Sequence, residues 1–168
     1  CVLRYQLADW AQRQPDKTYA VFESGQTWSY AQTETHARTL AGALQAVGAE
    51  QGDTVISWLP NGPEALQVWF GCNWMGAVYV PINTAYRGSL LQHVVTNANA
   101  RVMICHRALV DRLDEIDLGS VDTLVVVGEQ TEHTHTTFED FLSAAKEPEL
   151  SRPVEPWDIQ YIIFTSGT

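Results

Sequence analysis

Thr54-Val55-Ile56-Ser57-Trp58-Leu59 is the stretch that decides the fold. Gly52-Asp53 turns into this run and Pro60 closes it, so it is bounded on both sides. Its side chains alternate too little between apolar and polar for a strand with one face in water. We therefore expect a strand buried on both faces, as in a parallel sheet that helices cover on both sides.

Helical and strand patterns alternate along the rest of the chain. Apolar spacing predicts helices over 65–75, 90–98, 109–116 and 138–145, and strands over 77–80, 101–105 and 123–127. At least four such alternations with short connections require a mainly parallel sheet with right-handed crossovers. The predicted fold class is α/β, a mainly parallel sheet flanked by helices.

Local signals place the ends of several elements. Before the first buried strand, the pattern predicts a helix over 3–11, a β-hairpin over 18–29 and a helix that Ser29 begins and Gly48 ends. Gln32 stands three residues after Ser29 and completes a capping box. Asn61 is expected to cap the next helix, with Glu64 at its third position, where a carboxylate favours the helix dipole.

A proline-rich segment covers residues 146–157 and contains Pro148, Pro153 and Pro156. Proline lacks a backbone N–H and interrupts both helices and central strands. We interpret this segment as an extended surface connector that carries the chain to a new position in the sheet.

Composition excludes several classes of function. The 168 residues carry a net charge of −10, which disfavours nucleic acid and anionic membrane surfaces as partners. The sequence has no apolar run long enough for a membrane span and no opening signal peptide. Its three cysteines, Cys1, Cys72 and Cys105, show neither disulfide nor zinc spacing, which favours a reducing, cytoplasmic location.

The sequence contains two further candidate sites. Glu132, His133 and His135 are the one cluster that resembles a metal site, but they lack partner ligands at informative spacing, so a solvated loop is the interpretation. Cys72, inside an apolar helix, is expected to be a packed core residue. No dinucleotide-binding or Walker motif is present, and no metal site is predicted.

The terminal stretch is the remaining candidate for chemistry. Tyr161-Ile162-Ile163-Phe164 reads as a strand that delivers Thr165, Ser166, Gly167 and Thr168 to the rim of the sheet. Hydroxyl groups and N–H groups freed by a glycine can surround a phosphate. The tetrapeptide alone is weakly specific, because similar turns are common.

Several motifs earlier in the chain make the terminal tetrapeptide more specific. In order they are Gly48-x-x-x-Gly52-Asp53-x-Val55, Leu59-Pro60-Asn61-x-x-Glu64, Gly76-Ala77, Pro81-x-Asn83, and Asp158 before Phe164-Thr165-Ser166-Gly167-Thr168. This order resembles the N-terminal part of AMP-forming acyl-CoA synthetases, members of the adenylate-forming superfamily. Asn83-Thr84-Ala85-Tyr86-Arg87-Gly88 looks most like the crotonobetaine/carnitine-CoA ligase-like branch, which points to fatty-acid metabolism.

The resemblance implies a two-step reaction. A small-molecule carboxylate attacks the α-phosphate of Mg-ATP to give an acyl-adenylate, and the thiol of coenzyme A then displaces AMP. ATP, Mg²⁺ and coenzyme A are the implied cofactors. Thr165, Ser166, Gly167 and Thr168 would begin the phosphate loop. The family places its catalytic residues later in the chain, and none is expected here.

We expect residues 1–168 to be an incomplete N-terminal α/β portion of the large adenylation domain, without the C-terminal domain. The chain opens with Cys and stops inside the loop. By itself it should be inactive and should self-associate through exposed apolar faces and an unpaired sheet edge. Two alternatives stay open: an adenylation domain whose acyl acceptor is a carrier protein, and a stand-alone flavodoxin-like binding module without chemistry.

Overall fold

The computed structural model describes residues 2–129 and 136–165. Within these ranges the chain forms two sheets and five α-helices. The predicted α/β class is confirmed, with a parallel five-stranded sheet between helices.

The N-terminal elements are two helices and a separate two-stranded sheet. Helix α1 spans Leu3–Arg13, and strands β1 (Thr18–Val21) and β2 (Thr27–Ser29) pair antiparallel. Helix α2 spans Tyr30–Ala46 and begins with the expected capping box. The Ser29 hydroxyl accepts from the Gln32 N–H at 3.3 Å, while the Gln32 side chain accepts from the Ser29 N–H at 2.8 Å.

The main sheet has the strand order β4-β3-β5-β6-β7, and all its pairs are parallel. The strands are β3 (Thr54–Trp58), β4 (Val78–Pro81), β5 (Val102–His106), β6 (Thr123–Val127) and β7 (Thr136–Thr137). In β3, four of the five residues are buried, as the weak alternation between apolar and polar side chains predicts. This central strand pairs with β4 on one side and β5 on the other.

Successive residues of β3 point to opposite faces of the sheet and enter two separate cores. Val55 joins a cluster formed with α1, α2, α3 (Pro63–Met75) and α5 (Phe138–Ser143). Ile56 and Trp58 join a second cluster, formed with α4 (Gly88–Ala98) and the segment after β5. The strand is thus covered on both sides.

Three expectations differ from the structure. Residues Arg107–Glu115 form a 3₁₀ helix rather than an α-helix, although Leu109, Val110 and Leu113 are buried as the apolar pattern requires. Helix α3 begins one residue later than the cap assignment assumed, because Gly62 occupies the N-cap and makes no side-chain bond. Asn61 is therefore not its cap, and Glu64 lies at the second helical position after Pro63.

The third difference concerns residues 161–164, which were expected to form a strand. Only Tyr161 forms a bridge, parallel to Tyr79 of β4. Tyr161, Ile162 and Ile163 are exposed, since among the described residues this segment has a partner on one side only. The segment nevertheless lies beside β4, at the opposite end of the sheet from β7.

Residues 146–160 carry the chain between these two edges without regular secondary structure. The Gln45 side chain donates to the Glu149 carbonyl and accepts from the Glu149 N–H at 3.0 Å. Val154 is 2% exposed. This stretch is therefore bound to the helical layer rather than loose. Among the described residues, no helix is both long and apolar enough to cross a membrane.

Candidate functional site

The carboxyl ends of the parallel strands meet at one edge of the sheet, which is where open α/β proteins place their ligand sites. Two clefts open along this edge. The first, which we call the Thr165 cleft, has a volume of about 730 Å³ and lies beyond β3 and β4. The second, the His106 cleft, has a volume of about 740 Å³ and lies beyond β3, β5 and β6.

Thr165 reaches its cleft because the preceding segment pairs with β4. The N–H of Tyr79 donates to the carbonyl of Gln160 at 2.9 Å, and the N–H of Ile162 donates to the carbonyl of Tyr79 at 3.0 Å. Three residues later, Thr165 is exposed and lines the cleft with Phe164. Of the four predicted phosphate-loop residues, Ser166, Gly167 and Thr168 lie outside the described residues.

The opposite wall of the Thr165 cleft is a loop held by hydrogen bonds. The indole N–H of Trp58 donates to the Asn83 carbonyl at 3.1 Å, and the Asn83 side-chain oxygen accepts from the Ala85 N–H at 2.9 Å. Arg112 donates to the Thr84 carbonyl at 2.6 Å, and its guanidinium lies 5.8 Å from the Trp58 ring centroid. This network gives the wall a defined shape before any ligand arrives.

Sequence reasoning found Asn83 through its motif but missed the residues that hold it. Trp58 was assigned only to the buried strand, and nothing near Arg112 in the sequence signals a contact with a loop 28 positions earlier. Tyr79 was also missed, although it lines the Thr165 cleft. Burial raises the pKa of the Tyr79 hydroxyl, so this group is a neutral donor at physiological pH.

Asn61 and Gly62 lie where the two clefts approach each other. Asn61 lines both clefts, and Gly62 begins α3 at the His106 cleft. The N-terminus of a helix carries partial positive charge. The Glu64 carboxylate, in the first turn of α3 and lining the His106 cleft, offsets that charge on its side.

The His106 cleft has an acidic lining. Besides Glu64, it is lined by Glu129, Glu139 and Asp140. The Nδ1 atom of His106 accepts a hydrogen bond from the Ala108 N–H at 3.2 Å, which leaves Nε2 to carry the proton of the neutral ring. Several negatively charged carboxylates in one cleft repel anions, so this cleft is a poor site for phosphate.

The described residues offer neither a metal cluster nor a reactive thiol. Over residues 2–129 and 136–165, no group of three or more histidine, cysteine, aspartate or glutamate side chains could hold a metal ion. The rejected candidates Glu132, His133 and His135 lie outside those ranges. Cys72 and Cys105 are free and buried. Burial raises the pKa of the Cys72 thiol far above its ordinary value and that of Cys105 to about 12, so both stay protonated.

Comparison with known proteins gives one family. The profile described as "AMP-binding enzyme" matches residues 7–168. Over 135 residues the chain is 29% identical to the crotonobetaine/carnitine–CoA ligase of Salmonella paratyphi A, covering 76% of this chain and 26% of that protein. It is 30% identical over 159 residues to phenyloxazoline synthase MbtB of Mycobacterium tuberculosis, covering 94% of this chain and 10% of the relative.

Solved structures share the fold. The crystal structure of the anthranilate CoA ligase AuaEII in complex with anthranoyl-AMP matches with a TM-score of 0.86 and 22% identity, covering 96% of this chain and 31% of the other. The Mycobacterium tuberculosis fatty acyl CoA synthetase matches with a TM-score of 0.79 and 25% identity, covering 96% and 32%. The chain thus spans from a tenth to about a third of the length of these relatives.

Proposed function

Since this chain belongs to the AMP-binding enzyme family over residues 7–168, we propose that it is the N-terminal α/β portion of an AMP-forming acid–thiol ligase. The observation that carries the proposal is the position of Thr165, at the carboxyl end of the sheet beside a cleft that Asn61 and Asn83 also line. That edge is where an α/β fold presents hydroxyl and N–H donors to a nucleotide.

The proposed reaction has two steps. A carboxylate oxygen attacks the α-phosphorus of ATP, the bond from that phosphorus to the bridging oxygen breaks, and pyrophosphate leaves. The sulfur of coenzyme A then attacks the acyl carbon of the adenylate, its proton is released, and AMP leaves. Both steps require that anions be held in place and that charge on phosphate oxygens be stabilised.

Thr165, with Ser166, Gly167 and Thr168, is proposed to donate hydroxyl and backbone N–H groups to the β- and γ-phosphates. The Thr165 cleft suits this role better than the His106 cleft. None of the described residues that line it is a carboxylate, whereas the His106 cleft has four. A triphosphate is therefore repelled less at the Thr165 cleft.

Mg²⁺ is proposed to enter with the nucleotide. This ion commonly binds substrate phosphates and water with only one or two protein carboxylates. The described lining of the Thr165 cleft supplies polar oxygens from Asn61, Asn83 and Thr165 but no anionic ligand. We accordingly assign no residue of this chain to the metal.

The proposal extends to the identity of the acyl acceptor and of the carboxylic acid. Coenzyme A is the proposed acceptor, supported by relatives named as CoA ligases, such as the 4-coumarate–CoA ligase 1 of Petroselinum crispum, 28% identical over 92 residues. The crotonobetaine/carnitine-like branch is supported by the motif at Asn83–Gly88 and by the Salmonella relative. A carrier-bound thiol remains the alternative acceptor, and a thiol-acceptor assay separates the two. The family match disfavours a stand-alone binding module.

The buried, unpaired Cys72 and Cys105 support a cytoplasmic location as part of the same proposal.

The test is carboxylate-dependent exchange of pyrophosphate into ATP, measured on the longest natural polypeptide that contains this sequence. We expect exchange with that polypeptide and none with the 168 residues alone. Thr165→Val, which removes one hydroxyl at constant volume, should lower kcat/KM for ATP about tenfold, the effect of losing one hydrogen bond to a charged group.

Thr27→Val is the matched control, because Thr27 is exposed in the hairpin. Absence of exchange with every carboxylate tried in the longer polypeptide contradicts the proposed function. Exchange by the 168 residues alone contradicts the expected inactivity of this portion.

A further inference from the structure

We propose that Asp158 is a positioning residue: it fixes the register of residues 160–162 on β4 and thereby sets where Thr165 meets its cleft. The register of residues 160–162 is inferred from contacts in the structure. Only the role of Thr165 in binding phosphate rests on the proposed function. Its evidence is a set of contacts that converge on one carboxylate seven residues before the loop.

The Asp158 carboxylate accepts three hydrogen bonds. Arg152 donates through both terminal nitrogens, at 2.7 Å to one oxygen and 2.8 Å to the other. The N–H of Glu155 donates to the first of these oxygens at 2.9 Å. The Asp158 N–H in turn donates to the Glu155 carbonyl at 3.0 Å, which closes a tight turn. A two-pronged arginine–carboxylate pair fixes orientation as well as distance.

The turn that Asp158 closes is itself attached to α1 and to the loop before β3. The N–H of Val154 donates to the Tyr5 hydroxyl at 3.1 Å, and Val154 is buried. The Ser151 hydroxyl donates to the Gln51 side chain at 3.0 Å. Asp158 is therefore the last anchored residue before the chain reaches β4.

Beyond Asp158 the chain has little to hold its register. Between residues 160 and 162, two hydrogen bonds join it to Tyr79. Ile159, Tyr161 and Ile163 are 63%, 56% and 60% exposed. On the alternate face only Phe164 packs against a core cluster, so burial selects the pairing weakly. Registers are weakly specified in such strands. A slip of one residue would move Thr165 by about 3.3 Å and turn its side chain to the other side.

The chain offers a matched control for this pair. Arg101 and Asp122 form a second arginine–aspartate pair, with the Arg101 Nε atom 2.9 Å from the carboxylate. Its carboxylate is more exposed than that of Asp158, at 50% against 16%. This pair joins the segments before β5 and β6, at the amino ends of those strands. Asp122→Asn therefore removes a comparable ion pair without touching the path to Thr165.

The first experiment is amide hydrogen exchange on the longest natural polypeptide that contains this sequence, measured at single-residue resolution. In Asp158→Ala and Asp158→Asn, the N–H groups of Tyr79 and Ile162 should exchange several-fold faster, while those of β5 and β6 keep wild-type rates. Asp122→Asn should leave Tyr79 and Ile162 unchanged. Unchanged protection of Ile162 in both Asp158 variants overturns the inference, as does a uniform loss of protection across the whole sheet.

The second experiment measures ATP–pyrophosphate exchange in the longest natural polypeptide. Asp158→Asn should raise KM for ATP several-fold with a smaller change in KM for the carboxylate, because the phosphate donors move. Equal KM values for ATP in wild type and variant overturn the inference. If the wild type itself shows no exchange, the proposed function fails, and the amide rates alone decide whether Asp158 sets the register.

Discussion

The indole N–H of Trp58, at the end of the central strand, donates a 3.1 Å hydrogen bond to the carbonyl oxygen of Asn83. Trp58 is fully buried, and its ring also faces the Arg112 guanidinium. One side chain thus links the core of the sheet to the loop that forms a wall of the Thr165 cleft. Stability and the shape of the candidate site depend on the same residue.

Trp58→Phe removes the indole donor and leaves a gap in the core. We expect the free energy of unfolding to fall by about 2 kcal/mol, from one lost hydrogen bond plus incomplete filling of the site. Urea unfolding followed by circular dichroism measures the change. Trp157→Phe is the control, since Trp157 is 78% exposed and should change little. Equal midpoints for Trp58→Phe and wild type would show that the Asn83 contact contributes nothing.

Gly42→Ala tests how closely α2 packs against the residues after α5. A Cβ at Gly42 would overlap the carbonyl oxygen of Lys146 and lie 3.0 Å from its carbonyl carbon. Since a backbone group cannot rotate away, we expect destabilisation of about 1–3 kcal/mol, despite the better helix propensity of alanine.

Gly62→Ala is the control for that substitution, because Gly62 has an extended backbone with φ 172° and only the flexible Glu64 side chain nearby, at 3.4 Å. Thermal unfolding compares the two variants. A Gly42→Ala protein as stable as Gly62→Ala would contradict the close contact.

His36 should make stability depend on pH. Its ring lies 4.2 Å from that of Trp28, and burial lowers the pKa of the imidazole below its ordinary value. The unfolded chain therefore binds the proton more readily. The stabilising effect of the neutral ring is complete above about pH 6.5, the ordinary value, and is lost as pH falls through the lower folded pKa.

Urea midpoints measured between pH 7.5 and pH 5 test this dependence. His36→Gln should flatten the curve in this range, whereas His93→Gln, at an exposed position of α4, should keep the wild-type slope. A wild-type slope in His36→Gln would assign the pH dependence to other groups.

Cys72 and Cys105 should resist alkylation in the folded chain. Both thiols are buried, and their raised pKa values leave almost no thiolate at pH 8. Iodoacetamide treatment followed by mass spectrometry of the peptides should show labelling of these two residues only after unfolding in urea. Rapid labelling of Cys72 without denaturant would mean that α3 opens readily.

The isolated chain should self-associate through the segment beside β4. Trp157, Ile159, Tyr161 and Ile163 are exposed at alternate positions, and an uncovered apolar edge favours association. Sedimentation velocity should show concentration-dependent oligomers that Ile159→Lys with Ile163→Lys reduces. Val21→Lys, at another exposed apolar position, serves as the control. A wild-type chain that sediments as a monomer at all concentrations would contradict this expectation.

Local residue patterns were enough to predict most of the architecture. The run Thr54 to Leu59 indicated a strand buried on both faces, and Ser29 with Gln32 indicated the start of α2, because burial on both sides and capping both depend on neighbours in the sequence. The α-helix expected over 109–116 proved to be 3₁₀, since apolar spacing over so short a segment does not distinguish the two forms.

The amino-acid sequence by itself determined the fold class, the alternation of strands and helices, and the motif order that led to the family. Only the tertiary structure decided which strands are neighbours, that Tyr79 pairs with residues 160–162, and that Trp58 and Arg112 hold the loop at Asn83 that forms one wall of the Thr165 cleft. The physical reason is distance along the chain. Patterns of burial and capping act over a few residues, whereas these contacts join residues 25 to 83 positions apart, and whether such residues meet depends on the packing of the whole sheet.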